Sequence, residues 1–345
     1  MKNDKKYRAI FFDWDGTAVL SRKAPVEEAV AAMKPLLKQG IKLVIVSGTT
    51  MENIAGGEIG RYFTAEELDH LYLGLGRGAF NYAFRDGNPY VFRDMLPDAA
   101  CLEKIHRICF EIHITLKKQY DFDTDIVFSR PNYCKIDLMP EALRGDNLFM
   151  QENELEMLRE SFRRHGMTEG LKGLMEIAVC IGREYGLEVK PTCDAKYLEV
   201  GISSKSDNVD VIFEKIREDL WVKEESGEMR KEEEGKKGEE QRTGEEERKE
   251  EEQRSGEERK GVEQRTEEEE RKGAELREED CAFWGDEFVG AEEGIYGSDS
   301  FMITEKTKGG DFFDVSDVGG ERPERVEKSG GGVERFLHFL REQGY

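Results

Sequence analysis

Residues 8–13, Arg8-Ala9-Ile10-Phe11-Phe12-Asp13, form an unbroken apolar run that ends in an aspartate, which is how a strand buried on both faces of a parallel sheet reads. From Val26 to Leu37 the apolar residues Val26, Ala29, Val30, Met33 and Leu37 recur at helical spacing. Pro25 suits the first turn, Pro35 is expected to kink the last, and Gly40 supplies the stop. Ile41 to Val46 reads as a second buried strand, followed at once by Ser47-Gly48-Thr49-Thr50. Strand, helix, strand at this spacing is a βαβ unit. Such units build parallel sheets, and their sites lie beyond the strand C-termini.

The grammar changes between about Phe80 and Ala195. Residues 81–92 look like a hairpin with Asp86-Gly87-Asn88-Pro89 as turn material. Helical patterns follow at 98–118, 151–165 and 169–186, with strand candidates at Tyr133 to Met139 and Tyr197 to Val200. Strands and helices without clean alternation suggest an α+β module inserted into the parallel-sheet domain. A helix over 207–219, a strand over Cys281 to Trp284, short strands at 301–303 and 312–315 and a closing amphipathic helix after the Gly-rich 329–332 complete the reading.

Residues 223–280 stand apart. They are almost entirely Glu, Lys, Arg, Gln and Gly, with Met229, Val262, Ala274 and Leu276 as their only aliphatic side chains. Glu-Gln-Arg recurs at 240–242, 252–254 and 263–265, a period too short for a solenoid unit and without the apolar seam of a coiled coil. The tract is expected to be a solvated, partly helical arm or plain disorder. It holds 25 acidic and 15 basic residues, so it carries -10 of the net -23 and the rest of the chain is still acidic by -13. That balance argues against a nucleic-acid partner, because polyanion binding rests on Lys and Arg neutralising phosphates. A small phosphorylated molecule remains compatible, because a metal and a few cations can reverse the sign in one cleft.

The six cysteines form no CxxC pair and have no His neighbours at zinc spacing, so they read as thiols of a reducing compartment. The basic N-terminus is followed by too short an apolar run, with two aspartates in it, for a signal peptide. No stretch approaches a membrane span in length. A cytoplasmic protein is expected.

In Asp13-Trp14-Asp15-Gly16-Thr17 two carboxylates two apart at a strand end can project to one side. Gly16 then lets the chain turn with N–H groups free for an anion. One carboxylate can attack phosphorus while the other works as general acid and base, though a strand ending in an Asp-Gly turn is also common. Ser47-Gly48 after the second strand suits a phosphate oxygen, or is simply an N-cap. Lys205 precedes a helix, where it is either solvated or placed to neutralise charge on a nucleophile and a phosphoryl group. Asp286 and Asp299 follow the Cys281 strand and supply hard oxygen ligands of the kind Mg2+ takes, with Asp299 alternatively a turn residue.

These four pieces, in this order, resemble the motifs of the haloacid dehalogenase (HAD) superfamily of phosphohydrolases. Its pattern is a strand-terminal DxDGT, a strand ending in Ser or Thr, a Lys, and an acidic GD…D element. The resemblance implies an α/β fold, a Rossmann-like parallel-sheet core over 1–79 and 196–345. Residues 80–195 would be an inserted α+β cap of the C2 type found in the Cof-like and phosphomannomutase-like branch, with residues 223–280 a charged insert within the core. It further implies Asp13 as nucleophile and metal ligand, Asp15 as acid/base with its carbonyl on the metal, and Ser47, Gly48 and Lys205 around the phosphoryl group. Asp286 would bind Mg2+, and Asp299 would complete the metal site or orient Lys205. Thr49 stands where many capped members have Arg, Ser206 where Gly is frequent, and the fourth motif is stretched, which leaves Glu287, Glu292 and Glu293 as substitutes for Asp299.

The expected function is a Mg2+-dependent phosphatase acting on a small phosphorylated metabolite, a sugar phosphate by the cap type, through an aspartyl-phosphate. The alternatives are a phosphohexomutase, which uses the same aspartates, and a non-catalytic scaffold presenting the tract to a protein partner. Arg85, Arg93, Arg130, Lys135 and Asp137 are the substrate-reading candidates by chemistry alone.

Overall fold

The structure, a computed structural model, describes residues 5–141, 152–193, 196–220 and 276–344. The chain divides into two compact units, Met1–Ile212 with Glu278–Tyr345, and Phe213–Arg277. Of the second unit, residues 213–220 are helical, and Lys215 pairs with Asp219 one turn on at 2.5 Å. The part of the charged tract from 223 to 275 lies outside the described residues.

The first unit holds two sheets. The strands are β1 Ala9–Phe12, β2 Lys42–Val46, β3 Leu71–Leu75, β4 Phe80–Arg85, β5 Asn88–Asp94, β6 Asp125–Val127, β7 Tyr133–Asp137, β8 Thr192–Cys193, β9 Tyr197–Gly201, β10 Cys281–Gly285, β11 Asp311–Asp314 and β12 Val326–Lys328. Eight of them form one sheet in the order β12-β11-β10-β1-β2-β3-β4-β5, parallel from β12 through β3. The other four form an antiparallel sheet in the order β6-β7-β9-β8. The helices are α1 Glu27–Lys38, α2 Ala65–Leu68, α3 Ala99–Tyr120, α4 Glu152–Arg164, α5 Gly170–Glu184, α6 over residues 205–220, and α7 Gly332–Gln343. This is a mixed α/β fold with helices against a largely parallel sheet, and the antiparallel sheet stands as a second layer with α3 and α5.

The central strands are apolar without interruption because both faces are covered: β1, β2 and β10 are buried at every position. On one face α1 contributes Ala29, Val30, Met33, Leu36 and Leu37, and α7 contributes Phe336 and Phe339. Trp284 of β10 meets Phe313 at 4.5 Å and Phe339 at 4.4 Å, ring centroid to centroid. Each fully buried side chain of this size is worth about 1.5–3 kcal/mol, so the central strands carry a large share of the fold's stability. A separate core lies under the second sheet, where Ile105, Ile108, Ile112 and Leu116 of α3 meet Leu171 and Leu174 of α5 and Cys134, Ile136, Leu198 and Val200 of β7 and β9.

Three local expectations are replaced. The 81–92 hairpin forms, turning at Asp86 and Gly87 with positive φ, but β4 is hydrogen bonded to β3, so the hairpin extends the main sheet. β9 pairs with β7 in the second sheet, so Tyr197 to Val200 is not a strand of the main sheet. Residues 301–303 are not a strand: Ser298–Met302 is a 3-10 turn that folds Asp299 inward beneath β10.

Candidate active site

The parallel register brings the acidic residues together. Phe12 lies opposite both Trp284 and Ile45, so β1, β2 and β10 end at one level. Asp13 continues β1, its N–H donating to Trp284 O at 2.9 Å, and Ser47 continues β2, its N–H donating to Gly74 O at 2.9 Å. Asp286 follows β10 directly. Sequence separations of up to 273 residues thus collapse to one sheet edge.

Lys205 is the first residue of α6. Its position is set by Ser204 and Asp207: the Asp207 N–H donates to Ser204 O at 3.1 Å, and the Ser204 N–H donates to Asp207 Oδ2 at 2.8 Å. The Asp207 carboxylate thus caps the Ser204 N–H at the start of the helix, the return half of a capping box with Asp in the place of Glu. The buried ammonium donates to Asp13 Oδ1 at 3.1 Å and to Asp299 Oδ1 at 2.7 Å. The other oxygen of Asp299 accepts the Glu287 N–H at 2.8 Å, so Asp299 is held from two sides. Asp286 Oδ1 accepts from the Thr17 hydroxyl at 3.0 Å. Asp13, Asp286 and Asp299 present carboxylate oxygens that all lie within 4.8 Å of one another.

Two glycines make this crowding feasible. Gly16 has a φ of +85°, in the left-handed region, and a Cβ there would sit 2.1 Å from Asp286 Oδ2. A Cβ at Gly285 would sit 2.2 Å from Asp299 Oδ2.

Burial pushes the Asp13 carboxyl up to about 8; the negative charges of Asp299 and Glu287 add to this and Lys205 opposes it. Burial likewise lifts Asp286 well above the carboxylate range, with Glu287, Asp13 and Asp299 adding to it. For Lys205 burial alone would lower the value, but Asp13 and Asp299 hold it well above the ordinary lysine range. Asp15 is raised by burial against the pull of Arg22 and Lys205. One lysine therefore faces several carboxylates. The donor set is all hard oxygen and short of positive charge, and Asp15 Oδ1 is buried without a hydrogen-bond partner among the described residues. The hard-oxygen cluster fits a divalent cation of the Mg2+ type, held by Asp13 and Asp286.

A cavity of about 970 Å3 opens over this cluster and is lined by Asp13, Asp15, Ser47, Gly48 and Lys205, among others. Asp286 and Asp299 lie in the acidic cluster behind it. Of the suggested substitutes, Glu287 lines the cavity and accepts from the Ser298 hydroxyl at 2.7 Å. Glu292 is turned away to accept the Leu171 N–H at 2.9 Å, and Glu293 is exposed. Arg130 and Lys135 line the cavity, whereas Arg85 stacks over Tyr90 and Asp137 pairs with Lys196 at 3.0 Å. Arg93 is not among the lining residues.

Sequence reasoning missed Arg22, whose guanidinium lies 3.4 Å from Asp15 Oδ2. It also missed Arg77 and Glu199. Arg77 is buried with a φ of +56°, and its guanidinium donates to Ser203 O at 2.8 Å and to Lys190 O and lies 3.3 Å from Glu199. It ties the end of β3 to the strand that leads back to Lys205. Nothing local marks Arg77 and Glu199, because their partners lie in remote segments; Arg22 reaches Asp15 only through the loop that follows β1.

No family model matches the sequence, and no curated protein does. Solved structures share the fold. The N-terminally truncated, IMP-bound IMP-nucleotidase of Plasmodium falciparum is 9% identical, with 98% of this chain and 68% of that chain covered at a TM-score of 0.53. Another N-terminally truncated structure of that nucleotidase is 10% identical, with 98% and 70% covered at 0.51. Against a further structure of the same enzyme the chain spans only 50% of that chain's length. No helix among the described residues is long and apolar enough to cross a membrane. The chain shares the α/β fold of that nucleotidase.

Proposed function

We propose that the chain is a Mg2+-dependent phosphoric monoester hydrolase acting on a small phosphorylated metabolite through an aspartyl-phosphate. The observation that carries the reading is the buried chain Asp13–Lys205–Asp299 beside Asp286, under a cavity that Asp15 and Ser47 also line. A surface turn has no use for so much buried charge, whereas phosphoryl transfer is catalysed chiefly by positioning and charge neutralisation. The nucleotidase that shares the fold is described as bound to IMP, itself a phosphate ester.

Lys205 engages Asp13 Oδ1, which leaves Oδ2 to attack phosphorus as the ester P–O bond breaks. Asp15, its carboxyl raised by burial, keeps a proton for the leaving alkoxide, and then takes one from the water that cleaves the acyl-phosphate. The Ser47 oxygen accepts the Thr49 N–H at 3.3 Å, so its own O–H is free for a phosphoryl oxygen, together with the Gly48 N–H. With two of its three N–H bonds given to Asp13 and Asp299, Lys205 has one for the same group. A bound Mg2+ on Asp13, Asp286 and the Asp15 carbonyl would neutralise charge on the phosphoryl oxygens. Phosphate release from a panel of esters that includes an activated aryl phosphate tests the reading. The absence of release from every ester with Mg2+ present would overturn it.

A sugar phosphate is our preferred substrate, on the reading of the second sheet and its helices as a cap of the Cof-like and phosphomannomutase-like branch. All six cysteines are free thiols, which supports a cytoplasmic setting. A protein partner for the charged tract is a separate proposal, tested by pull-down with the full chain.

The metal makes a second prediction. Asp13, Asp15 and Asp286 have folded-state pKa values above their unfolded ones, so the folded chain holds protons that the unfolded chain gives up. Without metal, stability is therefore highest below about pH 4 for these groups and falls as pH rises toward about 8. Mg2+ reverses that loss by favouring the ionised forms. At a hundredfold excess over Kd it should add about 2.7 kcal/mol. The rise in Tm should be larger at about pH 8 than at about pH 5, where protons compete. An equal rise at both, or none, would count against a carboxylate site.

A further inference from the structure

One wall of the cavity, built from residues 130–135 and helix α5, is basic, in a chain whose net charge is -23. Arg130, Lys135, Lys172 and Arg183 line it, against Glu176 and Glu199. We propose that this wall is a second anion site, so that the substrate carries, besides the phosphoryl group at Asp13, a distal phosphate or carboxylate bound by Lys135 with Lys172 and Arg183. The proposal rests on the hydrolase reading for the first group and deepens it by naming the substrate class.

Lys135 is the centre of the argument. Its ammonium lies 2.6 Å from Glu199, but Arg77 shares that carboxylate at 3.3 Å, so two cations meet one anion. Arg77 spends its other donors on Ser203 O, Lys190 O and Thr192 Oγ1 and is part of the framework. The unbalanced positive charge therefore falls to Lys135, which is only 20% exposed in its side chain and stands beside the rings of Tyr197 at 4.8 Å and Tyr133 at 5.9 Å. Burial alone would lower the Lys135 pKa, but Glu199 and Tyr133 hold it above the usual value, so the ammonium stays charged. A half-buried, rigidly held cation with excess charge attracts an anion that a flexible surface lysine would not retain.

Helix α5 supplies the second observation. One stripe, Leu171, Leu174, Ala178 and Gly182, is buried. The stripe beside it faces the cavity, with exposed Lys172 and Arg183 at its two ends and Met175, Glu176 and Val179 between them. Lys172 and Glu176 are one turn apart, yet neither they nor Arg183 make an ion pair among the described residues, whereas on α4 Arg163 is paired with both Glu156 and Glu160. A face made only for solvation would be expected to pair in the same way.

The reach is suitable. Lys135 lies opposite Glu199 in the β7–β9 register, and Glu199 stands six residues before Lys205, so the Cα atoms of Lys135 and Lys205 are at most about 27 Å apart. Two extended lysine side chains shorten that gap to the length of a small molecule with an anion at each end.

The test uses the full chain and a matched series: hexyl phosphate, 6-(phosphonooxy)hexanoate and hexane-1,6-diyl bisphosphate. At least one of the two doubly anionic esters should exceed hexyl phosphate in kcat/KM by about tenfold or more. Which of them leads identifies the distal group as carboxylate or phosphate. Lys135→Met and, separately, Arg183→Met should reduce that ratio by about tenfold; the exposed Arg183 guards against a result due to misfolding at Lys135. Equal kcat/KM across the series, or variants that lower all three esters alike, would overturn the proposal. A binding arm separates the two readings: 6-phosphonohexanoate should raise Tm more than hexylphosphonate, and Lys135→Met should erase the difference. If that difference is seen but no ester is turned over, the hydrolase reading fails and the anion site stands. If turnover is seen without discrimination in either arm, the anion site fails alone.

Discussion

Asp13→Asn is expected to lower turnover by more than about 10^4-fold with little change in fold or in substrate affinity. The amide has the size and shape of the carboxylate, so the strand end and its N–H bond to Trp284 O are undisturbed. What is lost is the oxygen that would attack phosphorus, and an amide oxygen is too weak a nucleophile to replace it. Asp15→Asn removes only proton transfer and should cost less, about 10²–10⁴-fold. Loss in kcat with KM nearly constant, and no acid-stable phosphate on the variant under conditions that label the parent, would complete the case. The variant also reports on charge. Because burial lifts the Asp13 carboxyl to about 8, it contributes part of the decline in metal-free stability between about pH 4 and pH 8. Asn cannot ionise, so chelator-treated Asp13→Asn should show a flatter Tm profile across that window. Full activity in the variant would remove Asp13 from the chemistry and leave the scaffold reading as the better one.

Much of the fold was legible because the central strands have no choice of face. Ala9–Phe12 and Lys42–Val46 are covered on both sides, and a continuous apolar run of that length between turn residues can hardly be anything else. The long helices were legible for a similar reason: Asp98 caps α3 through the Cys101 N–H at 2.7 Å, and a Ser-to-Asp cap opens α6. The hairpin at 80–94 was recognised locally, but its allegiance was not. Whether β4 pairs with β3 or with the second sheet depends on a contact across the Gly76–Ala79 turn, and no period in the sequence encodes it. Residues 301–303 were misread because Phe301, Met302 and Ile303 look like a strand, while their role is to close the 3-10 turn that delivers Asp299.

The site shows the same division. Asp13, Asp15 and Ser47 were marked by their position at strand ends. Asp299 was harder, because it stands 13 residues beyond Asp286 and is joined to it by a loop that the sequence does not measure. Arg22 and Glu199 were invisible, since a charged residue in a loop or on an alternating strand is usually solvated. Their meaning comes only from Asp15, and from Arg77 and Lys135, which the fold brings beside them.

Lys205→Met is expected to destabilise the protein by about 3–5 kcal/mol and to abolish turnover as well. Lys205 is 6% exposed, and its ammonium is the bond between Asp13 and Asp299, with Asp286 close by. Methionine fills nearly the same volume, so packing is kept and the cost is electrostatic: buried carboxylates are left facing one another with their shared cation gone. In a domain of this size that should lower Tm on the order of 10 °C. The sign of the pH dependence follows from the groups involved. Lys205 is held well above its ordinary value, so its contribution is fully present below about pH 10 and does not fade in the working range. Asp13 ionises in the parent near 8 with Lys205 opposing the rise, and without that help its pKa must climb further. The stability gap between variant and parent should therefore widen as pH passes through about 8. Lys205→Arg, which keeps the charge but not the shape, should recover most of the stability and little of the turnover, since the guanidinium cannot place one N–H on each carboxylate and a third on the phosphoryl group. Denaturation midpoints of the three proteins, with chelator and with Mg2+, measure all of this. A Lys205→Met protein as stable as its parent at high pH would mean that the carboxylates are not in each other's field, and the charge argument for the site would fall with it.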